Sequence, residues 1–152
     1  MKVKLKIVIS ILLVVVLVSG TYVSNMFGFF NRGNYGEYSL KNTDTVQDSP
    51  IKDKIVIFLG SSVTFGYGSM GVSFVDFLEK TDGINVIKEA VSGTTLVDIK
   101  DDSYVSRMKT IDKNIKADAF VCQLSTNDAT KEMPLGKISE SYDINEFDTQ
   151  TI

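Results

Sequence analysis

The sequence predicts an α/β fold, a parallel sheet covered by helices, and two observations lead to this prediction. Three short apolar runs have the length of buried strands: KIVIFL (54–59), INVIKEA (84–90) and AFVCQL (119–124). Segments with helical apolar spacing lie between the runs, one from Val72 to Leu78 and one around Tyr104 to Ile111. Strands that alternate with helices indicate parallel strands joined by helical crossovers.

The amino terminus has the pattern of a membrane-targeting segment. Three lysines precede an uncharged stretch from Ile7 to Phe30, and they are Lys2, Lys4 and Lys6. The stretch exceeds the roughly 20 apolar residues that span a bilayer. Val18-Ser19-Gly20 offers small residues for cleavage, so residues 1–30 are either a removed signal peptide or an uncleaved anchor. We favour the anchor, because the cleavage signal is weak.

Aromatic residues and the lysines predict how this segment sits in the membrane. Four aromatic side chains are expected at the far interface: Tyr22, Phe27, Phe29 and Phe30. The preference of basic residues for the cytoplasmic side keeps the lysines inside. The rest of the chain is therefore expected to be extracytoplasmic, either tethered to the membrane or, if the signal is cleaved, secreted.

Residues 31–53 are predicted to be a linker between the membrane and a domain at residues 54–152. The segment is rich in Gly, Asn, Ser, Thr and Asp and shows neither helical nor alternating apolar spacing. At the other end of the chain, SYDINEFDTQTI is expected to be a polar loop that reaches a helix start at Asp148, a suitable N-cap residue.

The composition is that of one ordinary globular domain, with 43% apolar and 23% charged residues among 152. The formal charge of −3 comes from 19 acidic and 16 basic residues that mix along the chain, so we do not expect a nucleic-acid partner. A single cysteine, Cys122, lies in the third apolar run and is expected to be buried. We expect neither a metal nor a cofactor.

Three short loops carry the residues with chemical interest. Parallel strands end at the same edge of a sheet, so the loops after Leu59, Ala90 and Leu124 are expected to meet at one crevice. The loops are GSSVTFG (60–66), VSGTT (91–95) and STNDA (125–129). Each one alone has an ordinary explanation as a turn or a helix cap, and it is their order that is specific.

In this order the three loops resemble the SGNH (GDSL) family of serine esterases and lipases. That family is marked by Gly-Asp-Ser after the first strand, a glycine after the second, Gly-x-Asn-Asp after the third and Asp-x-x-His near the carboxyl end. The resemblance covers roughly residues 54–130 and implies a three-layer, flavodoxin-like sheet. It also implies hydrolysis of acyl or acetyl esters, with lipids or cell-surface carbohydrates as the broad substrate class.

The resemblance assigns a role to three positions. Gly60-Ser61-Ser62 matches the first block, which makes Ser62 the expected nucleophile. Gly93 matches the glycine of the second block, and Asn127 matches the asparagine of the third. The backbone N–H groups of Ser62 and Gly93, together with the Asn127 amide, are expected to form the oxyanion hole.

The chain also departs from the family pattern. Ser61 replaces the family's aspartate, and Ser125 stands where the family usually has glycine. No Asp-x-x-His block is present, and the chain contains no histidine at all. A serine hydroxyl without a base is a poor nucleophile. We therefore expect a sequence that ends before the catalytic base, with an incomplete sheet, exposed apolar surface and no activity as given.

Parts of the sequence also suggest two other functions. A degenerate, membrane-tethered binding module that keeps the crevice without the chemistry stays open. A dinucleotide site is suggested by Gly66 to Gly71, which spell GxGxxG, but this pattern begins six residues after the predicted strand end at Gly60. The chain also lacks the Gly-Lys-Ser/Thr of a phosphate loop, and GSSVT lacks the second glycine of an α/β-hydrolase GxSxG elbow.

Overall fold

A computed structural model of the protein describes residues 2–26 and 34–152. The chain forms one long amino-terminal helix followed by an α/β unit, and its regular elements in order are α1 (Lys2–Met26), β1 (Ile55–Gly60), α2 (Ser62–Phe65), α3 (Phe74–Asp82), β2 (Asn85–Ala90), α4 (Tyr104–Thr110), β3 (Ala119–Gln123) and α5 (Asn127–Thr130). Short 3₁₀ turns occur at Gly36–Tyr38, Leu40–Asn42, Tyr67–Ser69 and Ile144–Glu146.

Helix α1 is apolar and stands free of the α/β unit. Its segment Lys4–Met26 is 23 residues long, enough to cross a membrane, and is not buried against the rest of the described chain. A helix of this kind anchors a protein in a membrane or serves as a signal sequence. Tyr22 of the predicted aromatic anchor is 70% exposed, whereas Phe27, Phe29 and Phe30 lie outside the described residues.

The sheet has three parallel strands in the order β2-β1-β3. Strand β1 pairs with β2 from Ile55 opposite Asn85 to Gly60 opposite Ala90, and with β3 up to Gly60 opposite Gln123. The predicted parallel α/β arrangement is thereby confirmed, and the strand order is consistent with part of a flavodoxin-like fold. All three strands end at the same edge of the sheet.

The core lies between β1 and α3. Buried side chains of Val56, Phe58, Val75 and Ile84 form one cluster, because β1 is the central strand and is buried from Val56 to Gly60. The ring of Phe58 packs edge to face against Phe74 of α3, with ring centroids 5.8 Å apart.

Helix α3 begins later than the apolar spacing predicts. Ser73 caps it, since the Ser73 hydroxyl accepts a hydrogen bond from the Val75 N–H at 3.2 Å. The Asp76 carboxylate accepts in turn from the Ser73 N–H at 2.6 Å, which completes a capping box. Val72 therefore precedes the helix. The helix ends at Asp82 and is followed by the C-cap residue Gly83, whose φ of +70° favours glycine.

Strand β3 is the edge of the sheet and remains exposed. Every residue from Ala119 to Cys122 is exposed, including Phe120 at 48%. The expectation that Cys122 is buried was therefore wrong, because β3 pairs with β1 on one side only among the described residues. Surrounding residues of the same chain still desolvate the Cys122 thiol in part, and this raises its pKa above the ordinary value.

The predicted linker makes defined contacts with the α/β unit. The Val46 N–H donates to the Thr81 carbonyl at 2.7 Å, and the Asp53 N–H donates to the Gly83 carbonyl at 2.9 Å. The Ser49 hydroxyl donates to the Asp82 carboxylate at 2.7 Å. Residues 46–53 thus pack against the end of α3, while the boundary at residue 54 stays a prediction.

The predicted helix start at Asp148 is a turn in the structure. Asp148 does accept a hydrogen bond from the Gln150 N–H at 2.9 Å, as an N-cap residue would. No helix follows it within the described residues. The segment instead lies against the loop after β2, where the Asp98 N–H donates to the Thr149 carbonyl at 2.8 Å.

Candidate active site

The loops that follow the three strands meet at the carboxyl edge of the sheet, as the sequence predicts. The side-chain amide of Asn127, after β3, donates to the Thr94 carbonyl in the loop after β2 at 2.8 Å. The same amide donates to the Ser61 hydroxyl, directly after β1, at 3.2 Å. A further contact joins the Lys131 ammonium to the Gly93 carbonyl at 2.5 Å. One asparagine therefore connects all three loops.

Ser62 is the first residue of α2 and is half-buried. The turn that presents it is closed by hydrogen bonds from the Phe65 N–H to the Ser61 carbonyl at 2.8 Å and from the Gly66 N–H to the Ser62 carbonyl at 3.0 Å. Neither the hydroxyl nor the N–H of Ser62 has a hydrogen-bond partner in the described part of the chain. Ser62 is thus available to a ligand, and no basic group of the described residues accepts a hydrogen bond from its hydroxyl.

Two glycines shape the turn around Ser62. A side chain at Gly60 would overlap the side chain of Thr64, which lies directly over it and donates to the Gln123 side chain at 3.1 Å. Gly66 ends α2 with a φ of +88°, and a side chain there would meet the backbone of Val72. The strand, turn and short helix therefore require glycine at both positions.

Gly93 adopts a φ of +79° in the exposed loop after β2. A Cβ at this position would meet no atom within 4 Å. Glycine is therefore favoured here by the backbone conformation and not by a lack of space. The Gly93 N–H, like that of Ser62, makes no hydrogen bond within residues 34–152. The hydroxyl of the neighbouring Ser92 is buried and also lacks a partner in this range.

Asn127 begins the short helix α5, and both hydrogens of its amide group are in use. One goes to Thr94 and one to Ser61, and the bond to Ser61 is the longer. No hydrogen bond joins Asn127 to Ser62 among the described residues. The amide would have to leave Ser61 in order to donate to an oxyanion next to Ser62.

Asp128 has a structural role at this edge of the sheet. Its carboxylate is buried, with 6% of the residue exposed, and its two oxygens accept from the N–H groups of Leu96 at 2.9 Å and Val97 at 3.1 Å. These bonds fix the loop after β2 to α5. The nearest carboxylate in sequence to Asn127 is thus occupied by backbone donors.

Arg107 of α4, which no sequence motif singled out, is 7% exposed. Its guanidinium donates to the carbonyls of Gly60 at 2.9 Å, Glu89 at 2.7 Å and Asp102 at 2.9 Å, and to the Thr94 hydroxyl at 3.2 Å. Desolvation by burial lowers the pKa of Arg107 from its ordinary value. Arg107 follows Tyr104 by three residues, so the two side chains share one face of α4. This spacing was the signal in the sequence that the two could be buried together.

Tyr104 supports the guanidinium of Arg107. The centre of the guanidinium lies 5.1 Å from the centroid of the Tyr104 ring. The Tyr104 hydroxyl donates to the Gln123 carbonyl, at the end of β3, at 2.9 Å, and the residue is 1% exposed. Together Tyr104 and Arg107 contact the carboxyl ends of all three strands.

The chain was compared with known proteins. No protein-family model matches it, and no curated protein matches it either. A solved crystal structure resembles it with a TM-score of 0.51 and 23% sequence identity, over 66% of this chain and 46% of that chain. A likeness at this identity shows the fold alone. The chain spans 46% of the solved structure that it matches.

Proposed function

We propose that the chain carries the nucleophile and the oxyanion hole of a serine ester hydrolase of the SGNH (GDSL) type. The observation that supports the proposal is the pair of hydrogen bonds from Asn127 to Ser61 and Thr94, which brings the three motif-bearing loops together. Fold alone does not define an activity, so the proposal depends on these loops and on the resemblance of their sequences.

The proposed reaction follows from the groups at the crevice. The Ser62 hydroxyl attacks the acyl carbon of an ester, and the carbonyl oxygen becomes negatively charged. The unpaired N–H groups of Ser62 and Gly93 then donate to that oxygen, joined by the Asn127 amide once it leaves Ser61. The general base takes the serine proton and gives it to the departing alcohol, and water then hydrolyses the acyl-enzyme to release the acid and restore the Ser62 hydroxyl.

The general base is the part that these 152 residues do not supply. They include no histidine, and Asp128 is held by two backbone donors. In the proposal the base is the histidine of an Asp-x-x-His block outside this sequence. The chain by itself is then a poor catalyst, because the serine proton has no acceptor matched to neutral pH.

The proposed substrates are acyl or acetyl esters of lipids or cell-surface carbohydrates. The resemblance supplies this class, and the apolar helix α1 is compatible with work at a membrane. The proposed location is extracytoplasmic. The amino-terminal lysines prefer the cytoplasmic side, which would place the domain on the opposite side of the membrane.

A membrane-tethered binding module is the second candidate. Two observations favour it, the lack of any histidine and the engagement of both Asn127 amide hydrogens within the protein. Such a module would hold an ester or a carbohydrate in the crevice without hydrolysing it. Binding that survives Ser62→Ala, without turnover in any form of the chain, would favour this candidate.

The hydrolase proposal is tested with p-nitrophenyl acetate and two forms of the protein. The 152-residue chain should show no turnover that depends on Ser62, whereas a longer chain that includes an Asp-x-x-His block should hydrolyse the ester. In the longer chain Ser62→Ala should abolish turnover, and Asn127→Ala should reduce it by roughly 10²–10³, the usual loss for one oxyanion donor.

Ser61→Ala is the matched control for this experiment. It removes the same atom from the neighbouring serine, which is fully buried, and frees one N–H of Asn127. The longer chain should keep most of its activity with this change. Loss of turnover with Ser61→Ala but not with Ser62→Ala would reverse the assignment of the nucleophile. Indifference to Ser62→Ala and Asn127→Ala would contradict the hydrolase.

A further inference from the structure

Arg107 is a buried cation that forms no ion pair with a carboxylate among the described residues. The ion pairs found among the described residues involve other side chains, and Arg107 instead makes four hydrogen bonds, three to carbonyls and one to a hydroxyl. A buried charge is costly unless hydrogen bonds satisfy it, and the planar guanidinium suits several acceptors at fixed angles. Its position is therefore determined by those acceptors.

The acceptors lie next to the residues of the candidate active site. Gly60 is two residues before Ser62, and Thr94 follows Gly93 directly. The carbonyl of the same Thr94 accepts the Asn127 amide. A single guanidinium thus bonds within two residues of Ser62 and within one of Gly93, and it acts on Asn127 through Thr94.

We infer that Arg107 is a positioning residue that sets the relative placement of Ser62, Gly93 and Asn127, with Tyr104 holding the end of β3 in the same arrangement. The inference rests on the proposed function for the role of the crevice. The positioning of these residues can be tested without measuring turnover, because the guanidinium bridges Gly60 at the end of β1 to Thr94 in the loop after β2.

The test compares Arg107→Lys and Arg107→Met with the parent chain, all as ¹⁵N-labelled full-length protein in detergent micelles. The side-chain amide resonances of Asn127 report its contacts with Ser61 and Thr94. Amide hydrogen exchange at Leu96 and Val97 reports the docking of the loop after β2 onto Asp128. Both variants should move or broaden the Asn127 resonances and speed exchange by about tenfold, which corresponds to about 1.4 kcal/mol, since each loses several of the hydrogen bonds that the guanidinium makes.

Two comparisons separate positioning from general stability. Val75→Ala makes a cavity in the core cluster, away from the three loops. It should lower Tm yet leave the Asn127 resonances in place, and an equal disturbance by Val75→Ala would overturn the inference. Lysine keeps the charge without the fork of donors, so full recovery of the parent spectrum in Arg107→Lys would also overturn it.

Thr94→Val serves if the Arg107 variants fail to fold. It removes one acceptor of the guanidinium and the bond that the Thr94 hydroxyl donates to the Val91 carbonyl, while nearly preserving side-chain volume. The Asn127 resonances should shift, and an unchanged spectrum would contradict the inference. None of these measurements uses an ester, so their outcome is separate from that of the Ser62→Ala assay.

Discussion

At the residue scale, Asp98 shows how side chains beyond the crevice support it. Its carboxylate accepts from the hydroxyls of Ser103 at 2.5 Å and Ser106 at 2.6 Å, and from the Lys109 ammonium at 3.0 Å. Ser103 caps α4 by accepting from the Ser106 N–H. Asp98 therefore anchors the start of the helix that carries Arg107.

These bonds predict a pH dependence of stability. Hydrogen bonds from Ser103, Ser106 and Lys109, in that order of effect, lower the pKa of Asp98 from 3.8 to about 2. A carboxyl whose pKa is depressed by folding stabilises the protein above its unfolded pKa and loses this contribution as the pH falls through its folded pKa. The Tm of the parent should therefore exceed that of Asp98→Asn by a constant amount near neutral pH. This difference should shrink between pH 3.8 and about 2.

Thermal melts at a series of pH values check this expectation. Asp101→Asn is the matched control, because Asp101 is exposed and makes no side-chain hydrogen bond within the described residues. Its Tm difference from the parent should not show the same decline. A difference for Asp98→Asn that stays constant down to pH 2 would contradict the assigned role of Asp98.

At the element scale, the contacts of residues 46–53 with α3 bear on where the folded unit begins. Two backbone hydrogen bonds and one side-chain bond join this segment to Thr81, Asp82 and Gly83. Hydrogen bonds from Thr81 and Ser49 also lower the pKa of Asp82. The end of α3 is thus stabilised from outside the predicted domain.

A truncation series measures this contribution. A chain that begins at Asn34 should melt at a higher temperature than one that begins at Lys54, by at least about 4 °C if the three bonds contribute about 1 kcal/mol together. The shorter chain should also bind more of an apolar dye, because its loss of structure exposes core surface. Equal Tm values would show that residues 34–53 act only as a linker.

At the scale of the whole molecule, α1 and the α/β unit differ in how much apolar surface they expose. The helix exposes apolar side chains along its length, with Leu13 at 58% and Leu17 at 66%, which is unfavourable in water. The α/β unit buries a small core, and apart from Arg107 and Asp128 its charged residues in the described chain are not buried. A membrane around α1 would remove these apolar side chains from water, whether the helix stays as an anchor or acts as a signal.

The topology of the whole chain is open to a direct experiment. Protease added to intact cells should digest the region beyond Asn31 while a fragment with the amino-terminal lysines stays protected, because basic residues prefer the cytoplasmic side. Release of a shortened soluble form would favour cleavage after the signal. Full protection of the domain in intact cells, with digestion after lysis, would contradict the extracytoplasmic placement.

The amino-acid sequence alone predicts the succession of strands and helices along the chain, the parallel sheet and the meeting of three loops at one edge. Apolar period and run length indicate which segments are strands, and parallel topology then brings the strand ends together. The membrane-targeting character of α1 also follows from composition alone. None of these properties depends on which particular side chains touch.

The partners of individual side chains, in contrast, become known from the folded structure. Asn127 bonds to Ser61 across 66 positions of sequence, and Arg107 bonds to Gly60 across 47. Apolar spacing indicates which face of an element is buried, but it does not identify the polar group that meets an arginine there. Cys122 is exposed for a similar reason, because its burial depends on what pairs with the edge of β3 and not on its own apolar run.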